Sequence, residues 1–291
     1  MMNLRILPVL CAGLLLAACD NTPSDQAHGA LALTTSSPTA EKGFTTGDGW
    51  NVKLAHLFID VSAVTVAGVD GVVTASATSQ IIDQVPAGPK SLLAATVRTA
   101  RPWEAVSFEI APAAVVNDVG PSFAEPVTQA DVDAMVKGGL SFSVQGTATK
   151  GTSTKTFTWG FTSDTLHSAC TGDVNGRSVP GLIVPRDGID TAAITMDGSV
   201  LFSDSLTGAA GALRFDPLAA ADADKDNVVT LDELGAVTLD GLRKATAGSY
   251  ATPDGSAIVD LRAFTEELTR RVVSSFRTKG SCKFQAAPAA P

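Results

Sequence analysis

The chain has 291 residues, 45% of them hydrophobic and 18% charged, which is too apolar for a disordered protein and too sparse in charge for long solvated helices. Its formal net charge of -9 makes nucleic acid and anionic lipid headgroups poor partners and leaves cations acceptable. Twenty-six Gly and 15 Pro, set among many Thr, Ser and Val, favour strands joined by turns in one large domain or two modest ones.

In chain order, Met1–Arg5 is a short, weakly basic start, and Ile6–Ala18 is an apolar run too short to span a bilayer but suited to a signal-peptide core. Leu16-Ala17-Ala18-Cys19 closes it and resembles the bacterial lipobox. That resemblance implies cleavage after residue 18 and lipidation of Cys19. It also implies a protein anchored to a membrane of the bacterial cell envelope, on its periplasmic or surface face. Loss of residues 1–18 removes one charge, Arg5, and takes the net charge from -9 to -10. Several acyl chains on one Cys would hold the protein firmly. Residues 19–48 are polar and turn-rich, with Thr34-Thr35-Ser36-Ser37-Pro38-Thr39 among them, and read as a flexible tether.

From Trp50 to about Phe202 the apolar period is mostly two. Trp50, Val52 and Leu54 alternate with polar positions, as do Val106, Phe108 and Ile110, then Leu140, Phe142 and Val144, then Phe157, Trp159 and Phe161. Each run predicts a strand with one buried face, and Gly, Pro and Asp clusters punctuate them. A capping box at Thr128–Asp131 and a stop at Gly138-Gly139 mark one short helix between strands. Residues 49–205 therefore read as a two-sheet β-sandwich.

After about Leu206 the apolar spacing becomes three or four. Leu261, Phe264, Leu268, Val272 and Phe276 predict a helix from about Asp260 to Phe276. Residues 206–283 read as a small α-helical EF-hand-like pair, giving α+β overall, and residues 284–291 as a disordered tail.

The segment Asp222-Ala223-Asp224-Lys225-Asp226-Asn227-Val228-Val229-Thr230-Leu231-Asp232-Glu233 resembles the twelve-residue EF-hand calcium loop. Calcium takes six to eight hard oxygens at about 2.3–2.6 Å. Asp222, Asp224 and Asp226 place carboxylates on alternate residues, Val228 offers its carbonyl, Thr230 stands at the position that commonly holds a water, and Glu233 closes the site with both oxygens. The sixth position, usually Gly, is Asn227, one of the few residues that enter left-handed backbone space cheaply. Asp216-Pro217 predicts the start of a short entry helix, with Asp216 as its cap.

A second stretch, Thr252–Ala263, aligns with the loop but has Thr252 and Ala263 in place of the first Asp and the closing Glu. It predicts a degenerate partner, silent to calcium, whose Ile258-Val259 pairs with Val228-Val229.

Cys170 and Cys282 remain after Cys11 leaves with the signal and Cys19 takes the lipid. In an oxidising compartment they predict a disulfide, two separate buried thiols being the alternative. His167, three residues before Cys170, and His56, in a strand, read as structural or exposed and not catalytic, H-E-x-x-H and G-x-S-x-G are absent, and Trp50, Trp103 and Trp159 read as core or sandwich-edge residues. The β region, the EF-hand-like loop and the final Cys together resemble a class of uncharacterised bacterial lipoproteins. That resemblance implies His near Met196–Val200 and before the last Cys, and this chain has none there.

The sequence thus points to a non-enzymatic, calcium-binding envelope lipoprotein. The alternative is a β-sandwich adhesion or ligand-binding module whose contact surface calcium orders.

Overall fold

The computed structural model describes residues 28–287, apart from 69–70, 72, 77, 99–101, 208–210 and 246–248. The signal segment and Cys19 lie outside the described residues. Among those described, no helix is long and apolar enough to cross a membrane.

The fold is β-rich with a few short helices. Strand β1 (His28–Ser36) is followed by a one-turn helix at Pro38–Lys42, and β2 (Asn51–Ala67) is the longest strand. Then come β3 (Gln80–Asp83), β4 (Lys90–Arg98), β5 (Ala105–Ile110) and helix α1 (Gln129–Gly138). Strands β6 (Phe142–Lys150) and β7 (Ser153–Phe161) form a hairpin, and β8 (Thr165–Val174) and β9 (Ile189–Met196) follow. The C-terminal part holds α2 (Asp216–Ala221), the two-residue β10 (Val228–Val229), α3 (Leu231–Ala236), α4 (Leu261–Thr269), β11 (Val273–Phe276) and β12 (Ser281–Ala286).

Strands β8, β5, β2, β6, β7 and β10 are neighbours in that order in the large sheet, and β11, β9, β1 and β4 form a second. Inward side chains of both sheets join one buried cluster: Leu31 and Leu33 from β1, Ile194 and Met196 from β9, and Val52, Leu57, Ile59 and Phe142 from the large sheet. The alternation read in the sequence sets that face. On the opposite face Phe58 and Ile81 pack with Val132 and Met135 of α1 in a smaller cluster. The Thr128–Asp131 capping box starts α1, and Gly139, in the left-handed conformation, ends it.

Four expectations change. The segment read as a tether over 19–48 is folded from residue 28. Leu31 and Leu33 are fully buried, and β1 lies parallel to β9 and antiparallel to β4 as an inner strand. The tail read over 284–291 begins inside β12, which pairs with β8 through Phe284 to Ala286. The helix expected from Asp260 to Phe276 stops at Thr269, and Val273–Phe276 pairs with β9. Apolar residues every fourth position suit a helix face and one face of a strand equally, and the β-branched Val272-Val273 tips the choice. The boundary near residue 206 separates patterns but not cores: Phe215, Leu218, Leu234 and Phe264 belong to the same buried cluster as Trp50 and Trp159.

The disulfide is formed, Cys170 to Cys282, closing a separation of 112 residues between β8 and β12. In the chain-entropy account a loop of that size contributes on the order of 4–5 kcal/mol.

Candidate metal centre

The acidic loop lies against the edge of the large sheet. Strand β10 pairs in parallel with β7, Thr156 opposite Val228 and Phe157 opposite Val229. The Thr156 N–H donates to the Asn227 carbonyl at 2.9 Å, and the buried Trp159 Nε1–H donates to the Val229 carbonyl at 2.9 Å. Here the structure departs from the predicted EF-hand-like pair. Ile258-Val259 does not meet Val228-Val229; Val259 instead accepts from Leu239 N–H, and Leu261 N–H donates to Val237. The edge of β7 supplies the ladder that the second loop was expected to give. Of this stretch, residues 252–259 run through a turn to Asp260, whose side chain caps α4, and Ala263 lies inside that helix.

The entry helix α2 is one and a half turns long, as short as its sequence implies. Its cap is not Asp216. Asp48, brought by the segment between the first strands, accepts from the N–H groups of Phe215 and Asp216 at 2.8 and 2.7 Å. Asp216 instead takes Trp50 Nε1–H at 2.7 Å and Lys150 Nζ at 2.8 Å. Phe215 stands 5.0 Å from Trp50 and 6.0 Å from both Phe157 and Phe202, ring centre to ring centre. Aromatic pairs of this kind add about 0.5–1.5 kcal/mol each beyond their buried area, so the loop's N-terminal side is firmly seated.

Within the loop, Asp222, Asp224 and Asp226 converge, one carboxylate oxygen of each lying within 4.8 Å of the others. Asp222 is 6% exposed, while Asp224 and Asp226 are open to solvent. The two oxygens of Asp222 have different surroundings. Oδ2 accepts from the Lys155 ammonium and from the Asn227 N–H at 3.1 Å. Oδ1 is buried and has no hydrogen-bond partner. A buried carboxylate oxygen without a donor is costly unless a cation serves it. Asn227 has φ +69°, the left-handed conformation its position requires.

Glu233 stands outside this trio. Its Oε1 accepts from Ala223 N–H at 3.0 Å, beside Asp222, and its Oε2 accepts from Thr230 N–H and Thr230 Oγ1 at 2.8 and 2.9 Å. Thr230 caps α3 in return. Glu233 therefore already bridges the two ends of the loop. The Thr230 N–H holds its carboxyl below the usual range, and Lys155 does the same for Asp222. All the donors are hard oxygens, a set that suits calcium better than zinc or copper.

Sequence reading missed Lys155, Asp48 and Lys150. Each acts across more than 60 residues of chain, and nothing in the local pattern of β7 or of residues 44–48 marks them.

Among the described residues, the remaining acidic, His and Cys side chains form no second cluster of potential metal ligands. His56 Nδ1 lies 2.8 Å from Asp83 Oδ2, while Asp83 Oδ1 accepts from the N–H groups of Leu57 and Val85. His167 is buried between Phe108 and Phe284, and burial lowers its pKa to about 4. The Asp trio is the one cluster of potential metal ligands among the described residues.

No protein-family model matches the chain, and neither does any curated protein. Among solved structures, MbnP from Methylosinus trichosporium is similar at 12% identity and a TM-score of 0.33, over 63% of this chain and 82% of that one. A likeness of that size carries no argument about function.

Proposed function

We propose that the chain is a calcium-binding, lipid-anchored protein of the bacterial cell envelope, in which calcium braces the fold and has no catalytic part. The observation that carries this reading is Asp222 Oδ1, a buried oxygen without a donor, in a residue whose carboxylate lies close to those of Asp224 and Asp226. In the EF-hand arrangement those three supply carboxylate oxygens, Val228 a backbone carbonyl and Thr230 the place of a water. Glu233 closes the site by leaving its N–H partners. The ion supplies positive charge that relieves repulsion among the carboxylates. The lipid anchor rests on Leu16-Ala17-Ala18-Cys19 alone.

Thermal unfolding with excess calcium and with chelator tests the reading. Metal at about 100 times its dissociation constant adds about 2.7 kcal/mol. At about 2–4 °C per kcal/mol that is a rise of roughly 5–10 °C. Glu233→Gln removes a charge and a ligand oxygen and should abolish the rise. A variant that keeps the full rise would refute the site.

A further inference from the structure

A cation already touches the first residue of the loop. Lys155 projects from β7, its side chain 16% exposed, onto the Asp222 carboxylate, whose own side chain has no exposure. Its ammonium also lies 3.2 Å from Asn227 Oδ1, and the next residue, Thr156, donates N–H and Oγ1–H to the Asn227 carbonyl at 2.9 and 3.3 Å. Two consecutive residues of the sheet therefore grip the first and sixth positions of the loop. Asp224 and Asp226 are left with partners inside the loop only: Asp224 Oδ1 takes Asp226 N–H at 3.2 Å, and Asp226 Oδ1 takes Val228 N–H at 2.7 Å.

We propose that Lys155 is the loop's own counter-cation: it keeps the loop docked on the sheet when calcium is absent, and it lowers the affinity with which calcium binds. The proposal rests on the calcium reading above. It follows from how the carboxylate of Asp222 is divided. Oδ2 is neutralised from the sheet side, Oδ1 has no hydrogen-bond partner, and the carboxylates of Asp224 and Asp226 lie close by, so lysine and calcium can share one carboxylate through different oxygens. The shared arrangement has a consequence in each state. Without metal, Lys155 offsets part of the repulsion among three carboxylates whose oxygens lie within 4.8 Å of one another. With metal, the same positive charge opposes the incoming ion, a few ångströms away in partly solvated surroundings. One unit charge so placed, acting on a divalent ion, changes affinity by about tenfold or more. A lysine here would thus set the site to respond at the higher calcium concentrations found outside the cytoplasm, and it would keep β10 on the edge of β7 at lower ones.

The test is a calcium titration by calorimetry on the whole chain, paired with thermal unfolding in chelator, for the wild type, Lys155→Met and Lys155→Arg. Lys155→Met should bind calcium at least about tenfold more tightly, unfold at a lower temperature in chelator and gain more from calcium. Lys155→Arg should stay near the wild type. Should Lys155→Met fail to fold, Lys155→Gln keeps the stem and a donor and carries the same expectation. Binding by Lys155→Met that is equal to or weaker than the wild type's overturns the proposal while leaving the calcium site standing. A wild type silent to calcium beside a Lys155→Met that binds would support it in stronger form. If both are silent, the calcium reading falls and this proposal with it.

Discussion

Two buried ionisable side chains set opposite pH slopes on stability. Asp60, 1% exposed, has its pKa raised by burial from 3.8 to about 7. The unfolded chain ionises it first, so its contribution is complete below about pH 3.8 and is lost as pH rises to about 7. His167 works the other way. Unfolded it protonates near 6.5 and folded only near 4, so its contribution is complete above about pH 6.5 and is lost as pH falls to about 4. Between those limits the two slopes offset each other. Asp60→Asn should uncover the histidine slope, with denaturant-melt stability rising by about 3 kcal/mol from pH 4 to 6.5, at about 1.36 kcal/mol per unit. His167→Phe should uncover the opposite fall, of about 4 kcal/mol up to pH 7 on the same basis. Flat profiles in both variants would show that neither group titrates as described. At this scale much was legible. Asn227 in a position that needs positive φ, Thr128 and Asp131 as a capping box, and the Cys170–Cys282 pair could all be read from residue type and spacing. Asp60 and His167 could not, because burial is a property of what folds over a residue.

Elements were legible where one period dominates and were lost where two periods agree. Strands β5, β6 and β7 and the first residues of β2 carry strict alternation and stand as the pattern implies. Val272 and Phe276 satisfy a helix face and a strand face together, and the strand won through pairing with β9. Strand β1 was hidden in a polar context, since Leu31 and Leu33 offer only two large apolar residues to signal an inner strand. The docking of β10 on β7 was invisible for a different reason: an edge accepts any two residues whose backbone fits it. That docking depends on Trp159. Trp159→Phe preserves most of the buried ring and removes the N–H to the Val229 carbonyl, a loss of about 1 kcal/mol. Hydrogen exchange should show the Thr156 amide, which bonds Asn227, losing protection while amides of the β2–β6 ladder keep theirs. Unchanged protection at Thr156 would show that β10 is held by other means.

At the scale of the molecule, the C-terminal region is part of the main core and not an appended module. Phe215, Leu234 and Phe264 share that core with Trp50, Phe157 and Trp159, and the disulfide ties β12 to β8 on the same body. A metal bound at the loop would therefore stabilise the whole chain and not a detachable hand, which is the physical basis for proposing a brace. The measurement that tests this most directly is equilibrium dialysis of the purified chain against radiolabelled calcium at concentrations from about micromolar to millimolar, the range such loops span. The account predicts saturation at one ion per chain, abolished by Glu233→Gln and unaffected by Asp254→Asn in the second stretch, Thr252–Ala263. Absence of saturable uptake, or uptake that survives Glu233→Gln, would contradict it.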